Sequence, residues 1–281
     1  PSFPCPLSGE SGGLILQANQ TGGLIYMEPD KPSFGLQEPR LKSRHNPTTK
    51  SFSPDGRMNR VLLLRVGIDL GCGGTLGPIF PDGTFEYVPI PEDPQYVSPR
   101  SVYYHDLPAR HGGTLAQYVP RRYREAAAHY DPEFETFTYG DPTRNKRSQL
   151  LRLDDGDLLV FYAGLRPVGP RAASRLYVIG YFTVASAESI DPTNPWPPTD
   201  TPHLLDNAHI RRSRPDYGLV VVCGHARTSK LLDRVIAISD EAQRATPETE
   251  KRLGIRGSLK RAIGRWVPSE RIADAVDWIV Q

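Results

Sequence analysis

Short, uninterrupted apolar blocks dominate the middle of this chain. They are rich in β-branched and aromatic residues and are shorter than a typical core helix. Such blocks are typical of strands that are buried on both faces. The predicted strands are VLLLRV (residues 61–66), LLVFYAGL (158–165), LYVIGYFTV (176–184) and LVVVC (219–223). A further strand is predicted in GTFEYVPIP, after the Pro81-Asp82-Gly83 turn, and ends at Pro89.

Helical patterns lie on either side of these strands. LAQYVPRRYREAAAHY (115–130) predicts a helix that is started or divided at Pro120 and stopped by Asp131-Pro132. From about residue 228, four segments favour helix: SKLLDRVIAI, TPETEKRLGI, SLKRAIGRWV and PSERIADAVDWIV. Strands followed by helices predict a single α+β domain over residues 58–281, with helical decoration at its C-terminal end.

Residues 1–57 differ in composition from the rest of the chain. They are rich in proline and glycine, and their short apolar pieces follow no helical or alternating period. Met58 stands directly before the first convincing strand. These features predict a poorly ordered extension and suggest the hypothesis that the natural start is Met58, which mass spectrometry of the native N-terminus would test.

Composition narrows the class of protein. The formal net charge is only +2, so nucleic-acid binding would require a local basic patch. Cys5, Cys72 and Cys223 are widely spaced, which argues against a disulfide framework and a structural zinc site and favours a reducing cytoplasm. No apolar run reaches the length of a membrane span. We therefore expect a cytoplasmic protein with no membrane partner, no cofactor and no metal.

The segment RVGIDLGCGG joins the first strand to a glycine-rich loop. Its GIDLG is similar to the first phosphate-binding segment of the actin-like ATPases and sugar kinases, in which backbone N–H groups approach phosphate. That fold needs two lobes, and too few residues follow Met58 to build them. We therefore favour a loop that lines a pocket for the edge of a base or nucleotide.

Longer motifs carry a more specific resemblance. LRLDDGDLLVFYAGL followed by LYVIGYFTVASAESIDPTNPW is similar to the central part of EVE and other PUA-like domains. With RVGIDLGCGG, FPDGTFEYVPIPE and TFTYGDP, the chain from about Met58 resembles the third of the families named nucleotide modification associated domains. The resemblance implies a PUA-like mixed β-barrel that holds a flipped or unpaired base, often a modified one. The Asp69 loop has no clear EVE counterpart.

A pocket for an unstacked base needs aromatic faces and polar edges. Stacking contributes about 1 to 3 kcal/mol per base and offsets the few kcal/mol that extrusion costs. The stacking candidates are Tyr87, Tyr139, Tyr162 and Trp196. The candidates for the base edge, ribose or phosphate are Arg65, Asp69, Gly73, Gly74, Asp141 and Asn207. The alternative is that the aromatic residues are core and Asp69 serves a turn.

Basic residues cluster locally despite the low net charge. The clusters near the segments that are expected to form the pocket predict contacts with a nucleic-acid backbone. Binding through such contacts is expected to depend strongly on salt concentration. These residues are Arg144, Lys146, Arg147, Arg211 and Arg212. The alternative is an ordinary solvated face.

Catalysis is the competing prediction. The candidate chemical groups are Asp69, Cys72 within the glycine loop, and His209 in NAHIRR. Cys223 ends an apolar strand and is expected to be an inert small hydrophobe. The sequence thus favours a protein that binds or senses modified bases or nucleotides. The alternatives are an enzyme that makes, trims or removes a base modification, and a non-catalytic interaction module.

Overall fold

The computed structural model describes residues 60–193, 195–199 and 201–280. All of them belong to one compact unit, Thr49–Gln281. The predicted extension over residues 1–57 and the hypothesis about Met58 lie outside the described residues.

Eleven strands form two sheets in this described part of the chain. They are β1 Val61–Arg65, β2 Gly77–Ile79, β3 Ile90–Pro91, β4 Val102–Tyr103, β5 Ala127–His129, β6 Thr138–Asp141, β7 Leu158–Pro167, β8 Arg175–Ser189, β9 Val220–Gly224, β10 Lys230–Ala237 and β11 Arg265–Trp266.

The larger sheet has the strand order β11-β1-β7-β8-β9-β6, with β2 added on β7 and β10 added on β8. β1 and β2 run parallel to β7, and the other pairs are antiparallel. The sheet is open, with β11 at one end and β6 at the other. The fold of the described residues is therefore mixed α/β, and the predicted PUA-like closed barrel is not confirmed.

β7 and β8 could be predicted because they lie in the centre of the sheet, where strands are covered on both faces. Residues 158–165 of β7 are buried without interruption, as expected for a strand covered on both faces. Phe161 of β7 packs edge-on against Phe182 of β8 with ring centroids 4.7 Å apart, and Phe134 contacts both rings. These rings form the middle of the main core.

The smaller sheet has the strand order β3-β5-β4 and a core of its own. Tyr104 is fully buried there and donates a hydrogen bond to the carbonyl oxygen of Pro89 (2.8 Å). Ile68 and Val88 join this second core from the segments that follow β1 and precede β3. Residues 67–69 therefore run between the two sheets, which places the glycine loop at their junction.

Helices are few and short in the described residues. They are α1 Arg144–Leu150, α2 Pro247–Leu253 and α3 Ile272–Ile279, with single 3-10 turns at Pro94–Tyr96, Leu115–Tyr118, Arg121–Tyr123, Pro202–Leu204 and Ser269–Arg271. The helices predicted in TPETEKRLGI and PSERIADAVDWIV are confirmed. None of the helices in this part of the chain has the length and the apolar run needed to cross a membrane.

Three predicted helices were wrong. Residues 115–130 form two 3-10 turns and β5, because Pro120 divides the segment and Ala127–His129 pair with both neighbouring strands. SKLLDRVIAI contains β10, which pairs with β8; tertiary pairing overrides its helical spacing. SLKRAIGRWV contains the edge strand β11.

The strand predicted to end at Pro89 was also wrong. Phe85, Glu86 and Tyr87 are all buried, so the expected alternation of buried and exposed positions is absent. Within this segment, ladder pairing is limited to one bridge between Ile79 and Phe85, and β3 begins after Pro89.

Core packing generates a stability prediction. Replacing Phe182 with alanine removes a fully buried ring and is expected to lower the free energy of unfolding by about 3 to 5 kcal/mol. Urea denaturation followed by circular dichroism measures the change. The control is Tyr217→Ala, because Tyr217 is 84% exposed and its loss is expected to change stability by about 0.5 kcal/mol or less. Equal effects of the two substitutions would contradict the assigned core.

Candidate functional site

A cavity of about 430 Å³ opens beside β1, β5 and β6. Residues from six separate parts of the chain surround it, and most of their side chains are polar or charged. Its polar lining residues are Arg65, Asp69, His129, Asp131, Tyr139, Asp141, Thr143, Lys146, His209, Arg212 and Lys260. Such a lining suits a charged, hydrogen-bonding ligand better than an apolar one.

The glycine loop is closed by its own aspartate. Asp69 Oδ1 accepts hydrogen bonds from the N–H groups of Gly71 (2.8 Å) and Cys72 (2.7 Å), and the Asp69 carbonyl accepts from Gly74 (2.9 Å). Arg65 pairs with the other carboxylate oxygen at 3.2 Å. These three N–H groups are engaged within the loop, so they do not form a phosphate cradle like that of the ATPases.

Two histidines and one aspartate meet at the buried side of the cavity. Nε2 of His209 lies 3.6 Å from Oδ2 of Asp131, and Nε2 of His129 lies 4.0 Å from the same oxygen. The two imidazole rings are nearly perpendicular, with centroids 4.6 Å apart. All three residues are buried, and their candidate ligand atoms lie within 4.8 Å of one another. Among the described residues, these three side chains form a group with the composition and spacing of a metal site.

Each histidine is oriented by a second carboxylate. Nδ1 of His129 lies 2.9 Å from Oε2 of Glu92, and Nδ1 of His209 lies 2.7 Å from Oδ2 of Asp216. Because a carboxylate accepts a hydrogen bond, both Nδ1 atoms carry the proton. The two Nε2 atoms are thereby directed toward Asp131.

Arg212 joins the two outer carboxylates. Its Nε and Nη2 donate to Glu92 at 3.1 and 2.8 Å, and its Nη1 donates to Asp216 at 2.6 Å. The guanidinium also lies over the ring of Tyr96, 4.2 Å from the centroid. This fork geometry suits arginine and would not be reproduced by lysine.

The same contacts shift the ionisation of the outer groups. Burial opposes a charge on Glu92, yet its hydrogen bonds with His129 and Arg212 lower the pKa of this carboxyl to about 2. Burial also opposes a charge on Asp216, and His209 and Arg212 nevertheless lower its pKa. Both outer carboxylates are therefore ionised throughout the physiological range.

The two imidazoles differ in their proton affinity. Burial and the charge of His209 lower the pKa of His129, despite the opposing effect of Glu92. Burial would also lower the pKa of His209, but the carboxylates of Asp131 and Asp216 raise it to about 9. Without a ligand, a proton on the pair therefore resides on His209.

The central carboxylate is held by the backbone and by an amide. Both oxygens of Asp131 lie 3.1 Å from the Gly140 N–H, and Asn207 Nδ2 donates to Oδ1 at 3.4 Å. The side-chain oxygen Oδ1 of Asn207 accepts a hydrogen bond from the backbone N–H of His209 (3.0 Å). Asn207 is fully buried and does not line the cavity, so it positions Asp131 and His209.

A second acidic group lies at the end of β6, just before α1. Asp141 pairs with Lys146 (2.8 Å) and accepts a hydrogen bond from the Tyr139 hydroxyl (3.1 Å). Burial opposes its charge, but Lys146 and Thr143 lower the pKa of this carboxyl. The predicted residues Tyr139, Asp141 and Lys146 are thus brought together in the cavity wall.

The predicted stacking residues are scattered. Tyr139 lines the cavity but is buried. Tyr87 is also buried and donates a hydrogen bond to the Asp131 carbonyl (2.6 Å), while Tyr162 is fully buried in the main core. Trp196 donates to the Arg212 carbonyl (2.8 Å) at the edge of a third apolar cluster. In these positions Tyr87, Tyr162 and Trp196 offer no face to the cavity.

Some of the remaining predicted residues line the cavity, and the others lie on the surface or in loops away from it. Cys72 is exposed and Gly73 and Gly74 lie in the loop, but these three do not line the cavity. Arg144 is exposed, Arg147 donates to the Gly218 carbonyl (3.4 Å) and Arg211 pairs with Asp206 (2.6 Å). By contrast, the cavity is lined by Arg65, Asp69, His209 and Arg212. Burial raises the pKa of Cys223, as expected for an inert thiol.

Four residues of the site were not predicted from the sequence: His129, Asp131, Glu92 and Asp216. A signal for the first two was present, since the sequence reads His-x-Asp where β5 ends. A tight turn, in which the Asp131 N–H donates to the His129 carbonyl (2.9 Å), brings both side chains to one site. The assignment of residues 115–130 to a helix hid this pattern, because residues two apart do not share a helix face.

The fold and the site together define a mixed α/β protein with a polar cavity and a buried histidine and carboxylate cluster. The family model described as nucleotide modification associated domain 3 matches residues 60–276. The chain therefore belongs to this family, as the sequence motifs predicted, and is associated with nucleotide modification systems. Comparisons with curated proteins and with solved structures found no match.

The role of Arg212 can be tested by comparing it with its neighbour. Arg212→Gln removes the cationic partner that two buried carboxylates share and is expected to lower the free energy of unfolding by about 3 to 5 kcal/mol. Arg211→Gln removes a partly exposed pair and is expected to cost about 1 kcal/mol or less. Chemical denaturation of both variants measures the difference. Similar losses would contradict the assignment of Arg212 as the link between Glu92 and Asp216.

Proposed function

We propose that this protein binds a nucleotide with a modified or modifiable base, free or within nucleic acid, in the cavity beside β1, β5 and β6. One observation carries the proposal. A single cavity of this nucleotide modification associated domain contains both cationic side chains and buried polar groups that can form hydrogen bonds with a base. The volume of the cavity is in the range of small-molecule and cofactor sites.

The cations supply the phosphate part of this site. Lys260 is exposed, and its carbonyl accepts a hydrogen bond from Arg65 (2.5 Å), so these two residues lie side by side. Lys146 is partly exposed on α1, at the wall that holds Asp141. Charge-assisted hydrogen bonds from such groups bind phosphate oxygens strongly.

The buried side supplies the base part. Asp131, His129 and His209 are less than a tenth exposed at their side chains and present carboxylate oxygens and imidazole nitrogens. Carboxylates accept hydrogen bonds from exocyclic amino groups, and imidazole nitrogens can donate or accept. The polar character of the site supports recognition through the edge of the base, with Tyr139 as the adjacent aromatic group.

Catalysis on the bound base is a second candidate function, and the same cluster favours it. His209 has a partner on each ring nitrogen and belongs to a set of interacting ionisable groups, which is typical of acid–base sites. Binding without a change in product mass would support recognition alone. A mass change in the bound nucleotide or oligonucleotide would support an enzyme.

The phosphate contacts give a direct test. Lys260→Ala is expected to weaken the binding of nucleoside monophosphates roughly tenfold or more, because it removes a charged hydrogen bond. Lys251→Ala is the matched control, since Lys251 is exposed on α2 and does not line the cavity. Isothermal titration at two salt concentrations measures both affinities, and binding should weaken as salt rises.

The substrate panel separates the sources of the nucleotide. It contains nucleoside monophosphates and short single- and double-stranded oligonucleotides, with plain, methylated and hydroxymethylated cytosine. Equal losses in Lys260→Ala and Lys251→Ala, or no binding of any member, would overturn the proposal.

A further inference from the structure

The cluster at the buried side of the cavity has a specific chemical composition. It combines two imidazoles and one carboxylate, and its candidate ligand atoms lie within 4.8 Å of one another. His129 comes from β5, Asp131 from the turn after it, and His209 from the segment between β8 and β9. The fold therefore brings together ligands that the chain separates by about eighty residues.

We propose that Nε2 of His129, Nε2 of His209 and Oδ2 of Asp131 bind one divalent first-row transition-metal ion. Two histidines and one carboxylate form the three-ligand set of catalytic zinc sites and of non-haem iron sites. Calcium and magnesium are disfavoured because they prefer all-oxygen ligands. This inference goes beyond the proposed function and does not depend on nucleotide binding.

The distances are close to those of a bound state. Ligand atoms about 2.1 Å from one ion are about 3.0 to 3.4 Å apart at octahedral or tetrahedral angles. The separations from Asp131 Oδ2 are 3.6 Å to His209 and 4.0 Å to His129. These two separations must shorten by about 0.2 to 1.0 Å to reach coordination distance, and all candidate ligand atoms of the cluster lie within 4.8 Å of one another.

The surroundings of the histidines fit a metal site. A metal-bound histidine donates its other ring N–H to a carboxylate or carbonyl group, which fixes the tautomer. Glu92 and Asp216 occupy these positions at 2.9 and 2.7 Å. Arg212 holds both carboxylates in place. The two histidines thus have equivalent outer partners.

The charge balance also favours a dication. With both imidazoles neutral, Glu92, Asp131 and Asp216 carry three negative charges, and Arg212 supplies one positive charge. With no proton or cation added to the imidazoles, the buried formal charge would be −2, and buried charges in proteins are paired or bind metal ions. A divalent ion neutralises this charge completely, whereas one proton on a histidine leaves −1.

The proposed ion would face the ligand cavity. His129, Asp131 and His209 all line it, so an ion held by the three would lie next to the space assigned to the nucleotide. A three-ligand site with open positions is typical of catalytic metal sites, and structural zinc sites use four protein ligands.

The test measures metal binding alone. The full chain, prepared without a histidine tag and stripped with a chelator, is titrated with Zn²⁺, Co²⁺ and Mn²⁺ by calorimetry. We expect one ion per chain for at least one of these metals. His129→Gln and His209→Gln are expected to weaken binding by more than roughly 100-fold, and the outer substitution Glu92→Gln by about 10- to 100-fold.

The matched control is His225→Gln. His225 forms a surface pair with Asp155 at 2.7 Å, so its loss removes a histidine and carboxylate pair outside the cluster. We expect this variant to bind the metal as the wild type does. Circular dichroism and thermal unfolding without metal establish that each variant is folded.

A measurement on the wild type keeps the test valid if the ligand variants fail to fold. Bound Co²⁺ is paramagnetic and should shift the Nδ1–H signals of two histidines in the NMR spectrum. No stoichiometric binding of any of the three metals would overturn the proposal. With Co²⁺ bound stoichiometrically, shifts from fewer than two histidines would overturn it. Unchanged affinity in folded His129→Gln and His209→Gln would overturn it as well. Nucleotide titrations of the stripped protein report separately on the proposed function.

Discussion

The arginine fork at Arg212 is the interaction on which the site depends. It binds Glu92 from the segment after β3 and Asp216 from the segment before β9, so one guanidinium links the small sheet to the large one. Each of these carboxylates then fixes one imidazole. Charges at this depth are tolerated because every one of them has a partner, and a single missing partner would leave the others uncompensated. The chemistry of the cavity therefore follows from electrostatic pairing more than from apolar packing.

Much of the sheet could be predicted from the sequence, because buried strands leave a local signal. β1, β7, β8 and β9 read as apolar blocks since both of their faces are covered. β10 could not be recognised in this way, because LLDRVIAI has helical spacing and forms a strand only by pairing with β8. The open sheet was also beyond prediction, because closure into a barrel depends on which distant strands form the edges.

The site was partly predictable for a similar reason. Arg65, Asp69, Tyr139, Asp141, Lys146, His209 and Arg212 were chosen by residue type and all line the cavity. Their partners were missed because the contacts are long-range: Glu92 and Arg212 are 120 positions apart. The His129-x-Asp131 pattern was readable, but only with the correct strand assignment. Tyr162 illustrates a different difficulty. The sequence pattern around an aromatic residue on a strand is the same whether the side chain faces a ligand or the core.

The most direct test of nucleotide binding in this cavity is a crystal structure of the full chain with a nucleoside monophosphate bound. We expect electron density for the phosphate within hydrogen-bonding distance of Arg65, Lys146 or Lys260, and density for the base toward His129 and His209. A ligand bound outside the cavity, or an empty cavity at saturating ligand concentration, would contradict the proposed function.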